Sequence, residues 1–314
     1  MQQRSNVPAL ARTLGGIALA TVTLAVLTAC GGDGGDNTPA TVSAMSVAAT
    51  KYGTPALVTV NGTHLGNLSL TAPGCKNVTR LTTAPTASTD TTAYFSCTPS
   101  GAYSSSISAV TNGTTLTSQT LTVPAPIVTM TVSGGGGGTV NGTIVFNLRG
   151  DKAPTTVDNF LAYVNSGTSP TTGFYVGTIF HRVVPGFVVQ GGGYGAATSG
   201  TLPAVKDPLY SPIKLETTGG SNVQWTAAMA RTADDNSATS QFFFNLVDNH
   251  TVLDPSSGTD GYAVFADVSS SAAVIQAIAA ASPCPLLLSA GLPLGDGSCV
   301  PIPNVTITSA TQTQ

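Results

Sequence analysis

Charge is what this chain has least of. Asp, Glu, Lys and Arg together make up 8% of its 314 residues, against about a quarter in an ordinary globular protein. The few charges are scattered and sum to −3. No basic stripe exists to track a phosphate backbone, so nucleic acid is excluded as a partner class. Ser, Thr, Gly and Ala fill the space instead, and solubility must rest on hydroxyls and amides rather than on charge repulsion. The three histidines, His64, His181 and His250, are isolated from one another, and the five cysteines lack metal-ligand spacing. Neither a metal nor a cofactor is expected. The apolar run over 15–27 is well short of the roughly 20 residues that a spanning helix needs.

That run follows Arg4 and Arg12 and ends in Leu27-Thr28-Ala29-Cys30. A basic start, an apolar middle and small residues before a cysteine resemble a bacterial lipoprotein signal. The reading predicts removal of residues 1–29, acylation of Cys30, and a glycine-rich flexible tether over 30–36. A plain secretory cleavage site is the alternative. The expected destination is the periplasmic face of the outer membrane or the cell surface, with the membrane touched through the lipid anchor only. Export implies an oxidising compartment, so the disulfides Cys75–Cys97 and Cys284–Cys299 are expected. Pairing across the two halves, or free thiols, are the other possibilities.

Residues 37–123 read as all-β. Short β-branched runs at 57–60 and 107–110 lead into Asn61-Gly62 and Asn112-Gly113, dipeptides that favour hairpin turns, and apolar residues alternate over 116–123. The pattern fits a small sandwich of immunoglobulin-like type, with a spacer role as the default. Pro124-Ala125-Pro126 marks a boundary. Beyond it, strands are predicted at 127–132 and 143–148, connected as a hairpin through the glycines of 134–138 and Asn141-Gly142. Pro154 opens a helix that puts Val157, Phe160, Leu161 and Val164 on one face, with Gly167 as its cap. Further strands are predicted at 178–184, 187–190, 225–230, 241–246, 262–267 and 304–308, and a helix at 272–280 capped by Ser271. Eight strands with two covering helices predict a mainly β chain with a closed antiparallel barrel, which leaves no exposed edges.

Five blocks follow one another across 126–311. They are Ala153-Pro154-Thr155-Thr156-Val157-Asp158-Asn159-Phe160, then Phe180-His181-Arg182-Val183-Val184-Pro185-Gly186-Phe187-Val188-Val189-Gln190-Gly191-Gly192, then Met229-Ala230-Arg231, Ser240-Gln241-Phe242-Phe243, and Gly261-Tyr262-Ala263-Val264-Phe265. In this order they resemble the cyclophilin family. The resemblance implies a peptidyl-prolyl cis-trans isomerase acting on proline-containing polypeptides, aiding the folding of exported proteins. Rotation about an X–Pro bond faces a resonance barrier of about 18–20 kcal/mol. No bond is made or broken, so no nucleophile, base or metal is required. A ten-thousand-fold acceleration takes roughly 5–6 kcal/mol off the barrier. An apolar pocket for the proline ring, and a donor aimed at the prolyl nitrogen as its lone pair localises, would provide it.

The resemblance makes Arg182 that donor, with a rigid fork of N–H groups that never loses its charge. Gln190 would orient Arg182 or bind the substrate backbone. Phe187, Val188, Phe243 and Leu253 would line the proline pocket. Ala230 and Arg231 would meet the residue before proline, chiefly through backbone groups, and Tyr262 takes a position that is often His. His181 is not expected to act as a base, because no proton moves, and a regular strand places it opposite Arg182. Val188 stands where Met is commoner, and Val252 where the family has a large ring before Leu253, so weak cyclosporin binding is expected. A proline-segment binding module or holdase with little turnover is the alternative function.

Overall fold

The computed structural model describes residues 38–314 except 101–102, 136–137, 197–202, 257 and 282–297. Cys30, where acylation is expected, therefore lies outside the described residues, as does Cys284 and with it the pairing expected for Cys299.

The N-terminal part holds seven strands: β1 (Thr41–Val47), β2 (Ala56–Thr63), β3 (Ser69–Thr71), β4 (Cys75–Arg80), β5 (Thr92–Pro99), β6 (Ser104–Thr111) and β7 (Thr114–Thr122). They form two small antiparallel sheets, ordered β1-β2-β5-β4 and β3-β6-β7. Alternation explains their core: β2 buries Ala56, Val58 and Val60, β5 buries Ala93, Phe95 and Cys97, and Ile107, Ala109 and Leu121 come from the second sheet. A Cys75–Cys97 disulfide ties β4 to β5 with the Cα atoms 5.5 Å apart.

Of the three Asn-Gly dipeptides only one makes a turn. Asn112 (φ 46°) and Gly113 (φ 77°) link β6 to β7 in the left-handed region that a tight hairpin demands. Asn61-Gly62 lies within β2 instead, paired with β1, and a Cβ on Gly62 would fall 1.8 Å from the Thr41 carbonyl oxygen of that neighbouring strand. Asn141-Gly142 is likewise part of a strand, β9 (Val140–Leu148), paired with β8 (Ile127–Gly134). There a Cβ would meet Val274 at 2.7 Å.

The remaining elements are α1 (Pro154–Val164), β10 (Thr178–Val184), β11 (Val188–Gly195), β12 (Thr226–Met229), β13 (Phe242–Asn245), α2 (His250–Leu253), β14 (Val264–Asp267), α3 (Ala272–Ala279) and β15 (Val305–Gln312). Strands β10-β11-β13-β12-β14-β9-β8-β15 close into a barrel, β15 returning to β10 through Ile179 and Thr306. The interior is filled by Phe146, Phe160, Phe180, Phe242, Phe244 and Phe265. Their ring centroids stand 4.8 to 6.5 Å apart in edge-on, tilted and, for Phe146 and Phe265, near-parallel contacts.

Helix α1 buries the four apolar residues predicted for it, but it ends at Asn165, whose N–H reaches the Leu161 carbonyl before Gly167 is met. Its first turn is held by the Glu216 carboxylate, which accepts from the Thr155 and Thr156 amides at 3.2 and 2.7 Å. Ser271 stands at the N-cap position of α3 as predicted, but its side chain makes no capping hydrogen bond. Its hydroxyl accepts from the Val145 amide of β9 at 2.8 Å, tying helix to wall.

Sheets and barrel are packed together. Tyr52 is fully buried against Gly150, where a Cβ would lie 2.8 Å from its ring. Tyr103 accepts from the Gly150 amide and donates to the Leu148 carbonyl, and Lys76 pairs with Asp158 at 2.7 Å.

Candidate active site

The site is a row of side chains on the outer face of the barrel wall. Residues directly opposite one another in paired strands point to the same face. Arg182 of β10 lies opposite Gln190 of β11, and Gln190 opposite Phe243 of β13. Phe243 lies opposite Ala228 of β12, and Ala228 opposite Val264 of β14. One register line thus carries a cation, an amide and an apolar floor across five strands. The cation is there because of a bulge. Phe180 and Val183 both pack into the interior although they are three residues apart, and the register shifts between Phe180 and Arg182. The extra residue turns Arg182 outward, so the regular alternation expected at His181 and Arg182 does not hold across this point.

An apolar cluster separate from the barrel interior occupies the middle of this face. It comprises Val188, Ala228, Phe243, Leu253 and Val264, with Val184, Phe187, Ala230 and Tyr262 packed against it. Six of the seven substrate-contact residues expected from sequence come together here, Phe187, Val188, Ala230, Phe243, Leu253 and Tyr262, and the seventh, Arg231, lies over the Tyr262 ring. The short α2 turns Leu253 into the cluster and leaves Val252 61% exposed. Trp225 packs against the interior core instead and supplies no ring to the cleft.

At the polar end, Arg182 Nη1 donates to Gln190 Oε1 at 3.3 Å. Gln190 Nε2 in turn donates to Gln241 Oε1 at 3.0 Å. Gln241 therefore decides which end of the Gln190 amide faces the guanidinium. Gly193 makes room for it, since a Cβ there would lie 2.4 Å from Gln241 Cδ. At the opposite end, the Arg231 side chain is only 7% exposed and is committed to the fold. It donates to the Gly261 and Thr232 carbonyls at 3.0 Å each, pairs with Asp235 at 3.0 Å, and lies 4.7 Å from the Tyr262 ring centroid. Tyr262 meets Phe243 edge-on at 5.5 Å. Arg231 thus clamps one wall of the cleft.

His181 is buried, with its ring 4.3 Å from that of Tyr194 and its Nδ1 without a partner among the described residues. Burial, aided by the neighbouring Arg182 charge, lowers its pKa to about 4. It is neutral at physiological pH.

Residues 127–312, more than half the chain, match the family profile of cyclophilin type peptidyl-prolyl cis-trans isomerases. The chain belongs to this family. The cyclophilin barrel is 46% identical over 129 residues to peptidyl-prolyl cis-trans isomerase A of Dickeya dadantii, an alignment spanning 40% of this chain and 60% of the relative. It is 44% identical over 134 residues to peptidyl-prolyl cis-trans isomerase B of Escherichia coli, spanning 41% and 74%. A solved cyclophilin type isomerase from Cryptosporidium parvum, determined in the presence of the dipeptide Ala-Pro, is 20% identical with a TM-score of 0.40, covering 59% of this chain and 99% of its own.

A buried polar layer under the cyclophilin cleft was not legible as function in the sequence. Asn222, Asn245 and Asn249 are all buried and hydrogen-bonded to one another, and Asn222 also to Asp254. Burial pushes the Asp254 carboxyl up, but hydrogen bonds from Ser221 and Asn222 outweigh it and hold the group below the usual carboxylate range. The only sequence signal was an Asn closing the apolar run Phe242-Phe243-Phe244-Asn245, since a polar residue there needs a buried partner.

Proposed function

We propose that the cleft binds proline-containing polypeptides and accelerates cis–trans exchange of their X–Pro bonds in proteins outside the cytoplasm. The single observation that carries this reading is the register line that places Arg182 and Gln190 beside a shallow apolar cluster. The cluster of Phe187, Val188, Phe243 and Leu253 grips the proline ring and excludes water from it. The Arg182 guanidinium, oriented by Gln190, donates toward the prolyl nitrogen when the amide twists and its lone pair localises. This weakens C–N double-bond character without moving a proton, in keeping with a His181 that is buried and neutral. Because the Arg231 side chain is occupied, contact with the residue before proline falls to backbone groups of Ala230 and Arg231.

The same reading carries the chain to its place of work on a lipid anchor at Cys30, with export supported by the oxidised Cys75–Cys97 pair. Val252, small and exposed, leaves the cleft open on one side, so cyclosporin is expected to bind weakly. The decisive experiment follows cis–trans exchange of a proline peptide by NMR with catalytic amounts of the full chain. Acceleration of exchange is the expected result. Peptide binding with no acceleration would replace the isomerase reading with that of a proline-segment binding module. Incorporation of labelled fatty acid, abolished by Cys30→Ser, is the expected result for the anchor, and its absence would refute it.

A further inference from the structure

We infer that Asn222, Asn245, Asn249 and Asp254 act together as positioning residues that set the width of the proline cleft. The inference rests on the isomerase reading above and concerns how finely the cleft is gauged. Three walls of the cleft come from different segments: the β10–β11 turn with Phe187 and, far on in the sequence, α2 with Leu253 and the lead into β14 with Tyr262. Each is held at its backbone carbonyl by an amide of this cluster. Asn249 Nδ2 donates to the Phe187 carbonyl at 3.0 Å. Asn222 Nδ2 donates to the carbonyls of Leu253 and Tyr262, at 3.1 and 3.3 Å, and to Asp254 Oδ1 at 2.9 Å.

The amides are joined in series. Asn249 Nδ2 donates to Asn245 Oδ1 at 2.8 Å, and Asn245 Nδ2 donates to Asn222 Oδ1 at 3.2 Å and to Thr226 Oγ1 at 2.9 Å. Main-chain bonds run parallel to them: the Asn249 amide donates to the Asn222 carbonyl, and the Leu246 amide to the Phe187 carbonyl. Asp254 closes the far end, accepting from the Asn222 amide at 2.8 Å and from the Ser221 hydroxyl. A buried network with its members satisfied admits one arrangement, because breaking any link strands a desolvated polar group. The side chains of Phe187 and Leu253 are apolar and carry no directional bonds of their own, so their spacing is set from beneath, while Tyr262 is held in addition by Arg231 over its ring and by its amide on the Leu253 carbonyl.

A cleft gauged in this way discriminates ring size. The test compares kcat/KM of the full chain for two peptides that differ only in proline against its six-membered homologue, pipecolic acid. The wild-type chain is expected to favour proline, and Asn222→Ala is expected to reduce that preference by about five- to tenfold, through a raised KM for the proline peptide more than a lowered kcat. Asn249→Ala, which removes the side-chain bonds to the Phe187 carbonyl and to Asn245 Oδ1 but leaves the Leu246 amide on that carbonyl, shifts the preference in the same direction and carries the test should Asn222→Ala fail to fold. Glu216→Gln is the control, weakening the α1 cap away from the cleft: it is expected to lower the melting temperature with the preference unchanged. If the Asn variants melt earlier but keep the wild-type preference within twofold, the network is structural only and the inference is overturned. A wild-type chain that accelerates neither peptide overturns the isomerase reading, and the inference with it.

Discussion

The inner and outer faces of the barrel wall are made by the same strands, with residues one position apart doing different work. On β13, Phe242 and Phe244 fill the interior while Phe243 between them floors the cleft. On β11 the same division separates Val189 from Val188, on β12 Ala227 from Ala228, and on β14 Phe265 from Val264. The inner face is closed by rings packed on rings, among them Tyr175, whose buried hydroxyl is tied to the Ser240 carbonyl. The outer face is shallow, with its geometry imposed by polar groups at its two ends and beneath it. Stability and chemistry are therefore expected to respond to different members of each adjacent pair.

The largest effect should come from the inner face. Phe244→Ala removes a fully buried ring from the aromatic stack, and the cavity left behind is expected to cost about 3–5 kcal/mol in a denaturant titration. Phe243→Ala, one residue away, should cost less stability and more activity, because its ring borders a cleft instead of filling a core. Equal losses of stability with equal residual activity would erase the distinction between the faces. Next is Arg182→Ala, expected to lower kcat/KM for a proline peptide by about 10²–10³-fold, the range for loss of one preorganised donor. Its melting temperature should hardly move, since Arg182 lies outside the interior. Full activity in this variant would remove the proposed mechanism.

His181 sharpens the comparison through pH. The unfolded chain takes up a proton near the ordinary pKa of 6.5, the folded chain only near about 4. Between these values the unfolded state binds more protons, so stability falls as pH is lowered through that window. Two and a half units correspond to roughly 3 kcal/mol. The expected outcome is a steeper acid loss of stability in the wild type than in His181→Phe over pH 6.5 to 4, read from melting temperatures. Activity per folded molecule should stay level across the same window, because the chemistry uses no proton from this ring. A titration of kcat tracking His181 would mean that the ring belongs to the reaction.

How much of this was legible beforehand depends on where the cause lies. The strands predicted from sequence overlap all eight strands of the barrel, and the family resemblance pointed to Arg182, Gln190, Phe187, Val188, Phe243, Leu253 and Tyr262, which the fold brings to one place. Local signals misled wherever a distant neighbour decided the outcome. Asn61-Gly62 and Asn141-Gly142 carry turn chemistry, yet each lies in a strand where β1 or α3 passes too close for a side chain. Ser271 carries cap chemistry, yet its hydroxyl is claimed by β9. The bulge that aims Arg182 outward leaves no mark in the pattern of residues. The Asn222–Asn245–Asn249 layer was hidden because its members are 4 to 27 positions apart and meet only through folding. The loop over 207–222 contains none of the five motif blocks, yet it supplies both Glu216 and Asn222.

The smallest predicted effect probes the one place where the outer face is shaped by an absent side chain. Gly193 has no catalytic chemistry of its own, but the Gln241 side chain lies where its Cβ would be, 2.4 Å from Gln241 Cδ. In Gly193→Ala the methyl group must displace that flexible side chain, and Gln190 Nε2 then loses its acceptor. The Gln190 amide is left to reorient, and when its nitrogen faces Arg182 two donors oppose each other where a donor met an acceptor at 3.3 Å. Loss of one orienting hydrogen bond is worth about 1 kcal/mol, so kcat/KM is expected to fall about five- to tenfold, with the decrease in kcat and little change in KM because the apolar floor is untouched. Gln241→Ala relieves the clash and removes the same acceptor. The double variant Gly193→Ala with Gln241→Ala should therefore be no slower than Gly193→Ala alone. Additive losses would show that the glycine acts on the cleft by some route other than the Gln241–Gln190–Arg182 chain.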